Sequence, residues 1–211
     1  MDKLRLRFSK TGRAVYISHL DLMRTMQRVF SRADAGLKYS EGFNPHAKIS
    51  IVLPLSVGMA SQCEFLDFSL TEETDLSRLP ERLNRVMPEG MEALEAYPAE
   101  EKGALLKWVR VEGIFADCRH DAAFYNDFFT ADNIVVTRRT KRGTAEENIV
   151  PYIRRAAFAD TADGVTCDLI VSAQEPSISP ELLIAALGDS GPGYHRFMRT
   201  QVYRENMTIF R

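Results

Sequence analysis

The sequence predicts an α+β protein made of two ferredoxin-like βαββαβ domains in tandem. Several short segments alternate between hydrophobic and polar residues, other segments follow the helical period, and a similar order of segments occurs twice within the 211 residues. We place the first domain at residues 1–98 and the second at residues 104–211. The stretch PAEEKGA between them has the composition of a short linker.

The first half shows its elements in a clear order. The segment KLRLRF alternates, with Lys3, Arg5 and Arg7 on the face opposite to the hydrophobic residues, which is typical of a half-buried strand. Ser18 is a good N-cap for a helix in SHLDLMRTMQRVFSRADAG. The strands KISIVLPLSVG and CEFLDFSLTE follow. A helix in DLSRLPERLNRVMP, with Pro80 in its first turn or at a kink, precedes the strand GMEALEAYP.

The second half repeats this order less regularly. We predict a strand in LLKWVRVEGIFA, a helix in HDAAFYNDFFTA, and strands in NIVVTRRTKRG and TCDLIVSAQ. A helix in SPELLIAALGD and a last strand or irregular segment in YHRFMRTQVYREN complete the order. Residues 143–164 do not fit it, and we expect an inserted element there.

Composition indicates an ordinary soluble globular protein. Hydrophobic residues make up 45% of the chain, charged residues 27%, and mean hydropathy is -0.21. No apolar run approaches the roughly 18 residues of a membrane span, and MDKLRLRFSK does not resemble a signal peptide. Cys63, Cys118 and Cys167 are sparse and form no C-x-x-C pair, so we expect a cytoplasmic protein with no metal site and no cofactor held by this chain.

Charge is unevenly distributed although the net charge is only -2. Residues 1–50 contain ten Lys or Arg against four Asp or Glu, and residues 134–155 contain six against two. Such asymmetry allows a basic face on a protein without a basic isoelectric point. A solvated surface is the alternative explanation for each cluster.

Two histidines are candidates for catalysis. His19 lies at the predicted start of the first helix, and His46 lies in the loop that follows it. If they approach each other, they can act as a general acid–base pair in a metal-independent endoribonuclease. Alternatively, His19 stabilises the helix start and His46 is a turn residue. No nucleophile motif, Walker A loop or dinucleotide-binding glycine pattern is present.

Cationic and aromatic residues together favour nucleic-acid binding. Arg24, Arg28 and Arg32 are spaced by four residues and share one helix face. Cations neutralise phosphates, and aromatic rings stack on unpaired bases. A second cluster lies in TRRTKRG; solvated surface is again the alternative. The predicted nucleic-acid-binding residues are Arg13, Arg24, Arg28, Tyr39, Phe43, Asn44, His46, Lys48, Arg138, Arg139, Lys141 and Arg142.

The first half also resembles a known family. The motifs SHLD, YS-GFNPH-K, PL-VG and E--D, within YISHLDLMRTMQRVFSRADAGLKYSEGFNPHAKISIVLPLSVGMASQCEFLDFSL, resemble the opening of the radical-SAM-associated proteins. This bacterial domain of unknown function is found fused to radical SAM enzymes or encoded apart from them. The segment TKRG---ENIVPYI resembles the family's second half. The resemblance implies a separately encoded radical SAM partner, because this chain lacks the cluster-binding cysteine triplet.

We therefore expect a non-catalytic RNA-binding accessory protein that acts with a radical SAM enzyme in RNA or ribosome-related modification. In this hypothesis the arginines and Lys48 bind phosphates, Tyr39 and Phe43 contact bases, and Asn44 with His46 orients the ligand. One alternative is the endoribonuclease, since the tandem layout is also similar to CRISPR repeat-processing endoribonucleases. Another is a pure protein-interaction module. The sequence leaves the RNA and the oligomeric state open.

Overall fold

A computed structural model describes residues 3–140 and 143–211, apart from the side chains of residues 139 and 140. The described chain is α+β, with mostly antiparallel sheet and few helices, as predicted. It divides into two compact units: unit 1 runs to Ala104 and includes Arg211, and unit 2 runs from Leu105 to Phe210. Among the described helices, none combines the length and apolar character that crossing a membrane requires.

Unit 1 forms an antiparallel sheet with its helices on one face. Its elements follow in the order β1 (Leu4–Lys10), α1 (His19–Arg32), β2 (Ile49–Ile51), β3 (Ala60–Phe68), α2 (Leu79–Asn84) and β4 (Met91–Pro98). The strand order in the sheet is β4-β1-β3-β2, and each neighbouring pair is antiparallel. The two strands next to one another in the middle, β1 and β3, therefore come from either side of α1 in the sequence.

The core of unit 1 lies between this sheet and α1. Leu6 and Phe8 of β1 are fully buried, and α1 contributes Met26 and Phe30. The rings of Phe30 and Phe68 are 4.9 Å apart and tilted, a favourable arrangement for aromatic side chains. The predicted N-cap of α1 is confirmed, because the Ser18 hydroxyl accepts a hydrogen bond from the backbone N–H three residues later.

Two elements of unit 1 are shorter than predicted. Strand β2 covers only Ile49–Ile51, because the segment contains Pro54 and then Gly58, whose φ is 90° and whose N–H donates to the Val15 carbonyl. Helix α2 begins at Leu79, with a proline in its first turn as expected. The preceding residues form a turn instead, in which the Asp75 carboxylate accepts from both the backbone and the hydroxyl of Ser77.

The alternation of β1 predicted that Arg5 lies on the face opposite to the hydrophobic residues and is exposed there, and this exposure is wrong. This side chain is fully buried. Its Nε and one terminal nitrogen donate to the two carboxylate oxygens of Asp67 at 2.6 and 3.1 Å, and its terminal nitrogens also donate to the carbonyls of Arg211 and Glu101. Lys3 remains largely exposed but also pairs with Asp67, at 2.7 Å. Other parts of unit 1 thus cover the outer face of the sheet at this position.

Unit 2 also contains antiparallel strands that pair side by side. Its elements are β5 (Leu106–Ala116), α3 (Ala122–Phe128), β6 (Val135–Thr140), β7 (Gly143–Asn148), β8 (Ile153–Thr161), β9 (Gly164–Ser172), α4 (Pro180–Leu187) and β10 (Tyr194–Arg204). The sheet order is β10-β5-β9-β8. Phe115, Tyr125 and Phe158 pack together in its core, with ring centroids 5.4 to 5.7 Å apart.

The middle of unit 2 differs from the prediction. The segment predicted as a sheet strand, NIVVTRRTKRG, contains β6, which pairs with β7 in a separate two-stranded sheet. The strand that pairs with β9 at this position is instead β8, which was not predicted as a strand. Its sequence IRRAAFADT does not alternate, and most of its residues are exposed or half-buried, so it lacks the period-2 pattern of a half-buried strand.

One strand in each unit is capped by an asparagine side chain. In unit 1 the Asn84 amide of α2 donates to the Ala93 carbonyl of β4 at 2.9 Å and accepts from its N–H at 2.7 Å. In unit 2 the Asn126 amide of α3 makes the same pair with Phe158 of β8, at 2.9 and 3.0 Å. Each amide thus pairs with the N–H and C=O groups on the free side of the strand, where another strand could otherwise bind.

Candidate nucleic-acid interface

The loop that carries the GFNPH motif is closed at its base by backbone hydrogen bonds. We call residues 39–48 the GFNPH loop. Tyr39 bridges to Ala47, the Ser40 N–H donates to the His46 carbonyl at 2.8 Å, and the Ser40 hydroxyl accepts from the His46 N–H at 2.9 Å. Gly42 has a φ of 118°, which only glycine adopts readily. The turn is therefore held by backbone groups, one hydroxyl and a glycine.

Most of the remaining side chains of the GFNPH loop are exposed to solvent. Phe43 is completely exposed and Tyr39 is 56% exposed, which is unusual for such large rings. Asn44, His46 and Lys48 are exposed as well. Because the loop closes without these side chains, its own folding does not explain them. Exposed rings beside a cation are suited to stacking on bases and neutralising phosphate.

The arginines of α1 form an exposed stripe opposite the buried residues of the helix. Arg24 pairs with Asp21 at 3.2 Å, on a surface where both side chains are mostly exposed. A hydrogen bond from the Ser18 hydroxyl, and then the Arg24 guanidinium, lower the pKa of Asp21. Arg28 is exposed one turn before the C-terminal Arg32. The stripe thus leads toward the helix end from which the chain continues to the GFNPH loop.

Arg13 and His19 lie at the other end of α1. Arg13 is exposed in a 3-10 helix, Gly12–Tyr16, and His19 is the first residue of α1. The GFNPH loop instead follows the C-terminal end of α1, where the Lys38 N–H donates to the carbonyl of Ser69 just beyond β3. Fourteen helical residues span about 20 Å. The structure therefore does not bring His19 and His46 together.

The second predicted cluster lies in unit 2, on the β6–β7 hairpin. The Arg138 guanidinium donates to the Glu147 carboxylate at 2.9 Å and to the Ser177 carbonyl at 3.2 Å. These bonds give Arg138 a structural role. The side chain of Arg139 is not described, and Lys141 and Arg142 lie outside the described residues.

A groove on unit 1 contains residues that were not predicted to belong to a site. It has a volume of about 400 Å³, and its lining includes Lys3, Lys48, Ser50, Asp67 and Ser69. Of these, only Lys48 was predicted. The others come from three separate strands or strand ends, so no local motif contains them. The alternation of β1 places Lys3 on the outer face, but only the sheet register brings it beside Asp67.

Within the described ranges 3–140 and 143–211, no group of three or more His, Cys, Asp or Glu residues is arranged to hold a metal ion.

Fold and surface together define an α+β protein whose most distinctive feature is an exposed aromatic and cationic loop. The chain belongs to the DUF2344 family, described as an uncharacterized protein conserved in bacteria, whose family model matches residues 3–180. The search of curated proteins found no match. The predicted membership in a bacterial family of unknown function is thus confirmed.

Proposed function

We propose that this protein is a cytoplasmic, non-catalytic RNA-binding accessory protein that acts beside a separately encoded radical SAM enzyme in RNA or ribosome-related modification. The partner enzyme is inferred from the resemblance of the SHLD and GFNPH motifs to radical-SAM-associated proteins. The RNA is inferred from the chemistry of the GFNPH loop. The two parts of the proposal stand on different evidence and need separate tests.

We further propose that both units have the ferredoxin-like layout. In unit 1 the order βαββαβ together with the sheet order β4-β1-β3-β2 supports this. In unit 2 the sheet order β10-β5-β9-β8 corresponds to it if the β6–β7 hairpin is an insertion after α3. Sheets of this kind serve many functions, so the layout alone says nothing about RNA.

The observation that carries the RNA proposal is the exposure of Tyr39 and Phe43 on a loop that is closed by other groups. Burying a ring on a base removes apolar surface from water, and base–aromatic stacking contributes about 1–3 kcal/mol per base. Lys48 at the base of the same loop supplies a cation for the adjoining phosphate. Since stacking tolerates every base, we expect single-stranded RNA to bind with little sequence preference.

The test is the affinity for fluorescein-labelled single-stranded RNA at low salt, measured by fluorescence anisotropy. The double variant Tyr39→Ser with Phe43→Ser removes both rings and should bind at least about tenfold more weakly than the wild type. Both positions are exposed, so thermal unfolding should be unchanged.

Tyr194→Ser is the matched control, because Tyr194 is exposed to a similar extent, at 52%, but belongs to unit 2. It should bind RNA like the wild type. Absence of RNA binding by the wild type at low salt, or equal affinity of the double variant and the control, would refute the role of the GFNPH loop.

A second candidate function, a protein-interaction module, is favoured by a different observation. Tyr16, at the end of the 3-10 helix before α1, is 73% exposed, and Leu20, in the first turn of α1, is 67% exposed. The hydrogen bond from the Gly58 N–H to the Val15 carbonyl brings the loop carrying exposed Val57 to the same end of unit 1. Exposed apolar side chains that are grouped at one end of a unit are typical of a docking surface.

Co-purification with the radical SAM enzyme after ribonuclease treatment tests this candidate. Leu20→Asp should abolish a direct protein contact, whereas the Tyr39 and Phe43 double variant should not. If ribonuclease alone releases the enzyme, the contact is through RNA. The endoribonuclease alternative receives no support from the histidines, since His19 begins α1 and the loop that carries His46 follows the other end of this helix.

A further inference from the structure

The groove on unit 1 combines a suitable size with an excess of cationic groups. Its volume of about 400 Å³ is within the usual range for small-molecule sites, roughly 300–1,000 Å³. It is open to solvent along Lys48 and Ser50, which are both exposed. A ligand can therefore enter without rearrangement of the core.

The charge of Asp67, the one carboxylate lining the described groove, is already neutralised. Arg5 binds both of its oxygens from the buried side, at 2.6 and 3.1 Å. Lys3 approaches the same carboxylate at 2.7 Å from the groove side, with 58% of its side chain exposed. Arg5, Lys3 and Lys48 are thus three cations against one carboxylate. The surplus charge is positive and faces the opening.

The lining also offers neutral hydrogen-bond donors in suitable positions. Ser50 pairs with Asp67 across β2 and β3, and Ser69 follows directly after β3. The Ser69 N–H donates to the Lys48 carbonyl, which keeps the strand end beside the loop base. Two hydroxyls and two ammonium groups around one opening match the needs of a phosphate, which accepts several hydrogen bonds and carries negative charge.

We propose that this groove binds a phosphate group through Lys3, Lys48, Ser50 and Ser69. The inference deepens the proposed function, because Lys48 joins the groove to the GFNPH loop. Stacking of bases on Tyr39 and Phe43 places the adjoining backbone phosphate at the groove. Buried Arg5 is a positioning residue, since it holds the Asp67 carboxylate and thereby the Lys3 ammonium. The same chemistry also suits a free phosphate or a phosphorylated small molecule.

The experiment uses the full chain and the double variant Lys3→Gln with Lys48→Gln. Its affinity for single-stranded RNA should fall about tenfold relative to the wild type, because two charge-assisted contacts are lost. The slope of log affinity against log salt should also become shallower by about 0.7, because the groove binds one phosphate and each phosphate contact on a single strand contributes about 0.7. The second arm measures the rise in unfolding temperature of both proteins with inorganic phosphate.

The control is Arg78→Gln with Arg85→Gln, which removes the same charge from exposed positions around α2. It should retain the wild-type RNA affinity and salt slope. A loss confined to the groove variant supports the proposal with RNA as the phosphate source. Stabilisation of the wild type but not of the groove variant by inorganic phosphate supports it with a free phosphate as the source.

The groove proposal is overturned if the groove variant matches the control in RNA affinity and in its response to phosphate. This outcome is distinguishable from failure of the proposed function. If the Tyr39 and Phe43 double variant still loses RNA binding, the RNA-binding function stands without the groove. A different result is that no RNA binds, while inorganic phosphate stabilises the wild type and the control but not the groove variant. The phosphate site is then supported and the RNA-binding function is not.

Discussion

Arg5 shows how a charged residue is accommodated in the interior of this protein. An isolated buried guanidinium would be very unfavourable, but Arg5 is bound by the Asp67 carboxylate and by the carbonyls of Glu101 and Arg211. The Arg211 side chain adds an ion pair with Glu95 and lies over the ring of Tyr97. These contacts connect β1, β3, β4 and the last residue of the chain within unit 1.

Replacing Arg5 by methionine should destabilise unit 1 strongly. Methionine has a similar side-chain volume but no charge. Of the two cations that the structure describes beside the nearly buried Asp67, only Lys3 would remain. Breaking a buried pair in this way typically lowers the free energy of unfolding by about 3–5 kcal/mol. Urea unfolding followed by circular dichroism measures it. The control Arg24→Met removes an exposed ion pair with Asp21 and should leave the urea midpoint of unfolding nearly unchanged. If both variants unfolded at the same urea concentration, this role of Arg5 would be contradicted.

The cysteines should differ in reactivity according to burial. Burial raises the pKa of the Cys167 thiol to about 12, so almost no thiolate is present at pH 8, and the side chain is 4% exposed. Cys63 is also buried, whereas Cys118 is half-buried. A thiol reagent at pH 8 should therefore modify Cys118 first and the other two only on unfolding. The variant Cys118→Ser should lack the fast phase; a fast phase that persists would contradict this prediction.

At the scale of elements, the two asparagine caps both satisfy backbone hydrogen-bonding groups at the edge of a strand, one in each unit. A strand without a neighbour leaves N–H and C=O groups that can pair with another chain. Asn84 at the end of α2 covers Ala93 of β4, and Asn126 within α3 covers Phe158 of β8. An amide side chain carries one acceptor and one donor, so it satisfies both backbone groups of a single residue.

Asn126→Ala should leave both backbone groups of Phe158 without their side-chain partner. We expect a loss of about 1–3 kcal/mol in the free energy of unfolding and faster amide hydrogen exchange at Phe158. Asn133→Ala, at an exposed position before β6, is the control and should change neither quantity. Unchanged exchange at Phe158 in Asn126→Ala would show that the cap does not protect the strand.

At the scale of the whole molecule, the positive charge is concentrated in the first 50 residues, although the chain as a whole is slightly negative. The net charge is -2, yet residues 1–50 carry ten Lys or Arg against four Asp or Glu. Attraction of RNA therefore has to come from local positive surface on unit 1 and not from the overall charge. This view agrees with the position of the GFNPH loop and of the exposed Arg28.

RNA binding should accordingly weaken steeply with salt. Contacts to three or four phosphates predict a slope of about -2 to -3 for log affinity against log salt on single strands. Titrations between low and high potassium chloride concentrations measure it. Arg28→Gln should make the slope shallower by about 0.7, whereas Arg85→Gln, directly after α2, should not. A slope near zero would mean that phosphates contribute little to the binding.

Local patterns in the sequence predicted much of unit 1. Strand β1, the capped helix α1 and the proline in the first turn of α2 follow from periodicity and capping, which act over a few residues. The GFNPH loop was recognisable in the same way, through its glycine, proline and unexplained aromatic residues. Strand β8 was missed, because an exposed strand has neither a continuous apolar run nor regular alternation.

The sequence by itself determined the α+β class, the capped first helix and the turn residues of the GFNPH loop, since each follows from a pattern among neighbouring residues. Only the tertiary structure decided three other features. It buries Arg5 against Asp67, 62 positions along the chain. It places His19 at the start of α1 and the loop with His46 beyond the other end of this helix, and it brings Lys3 and Lys48 into the lining of one groove. The physical reason is that strand pairing and helix direction, not spacing in sequence, set which distant side chains meet.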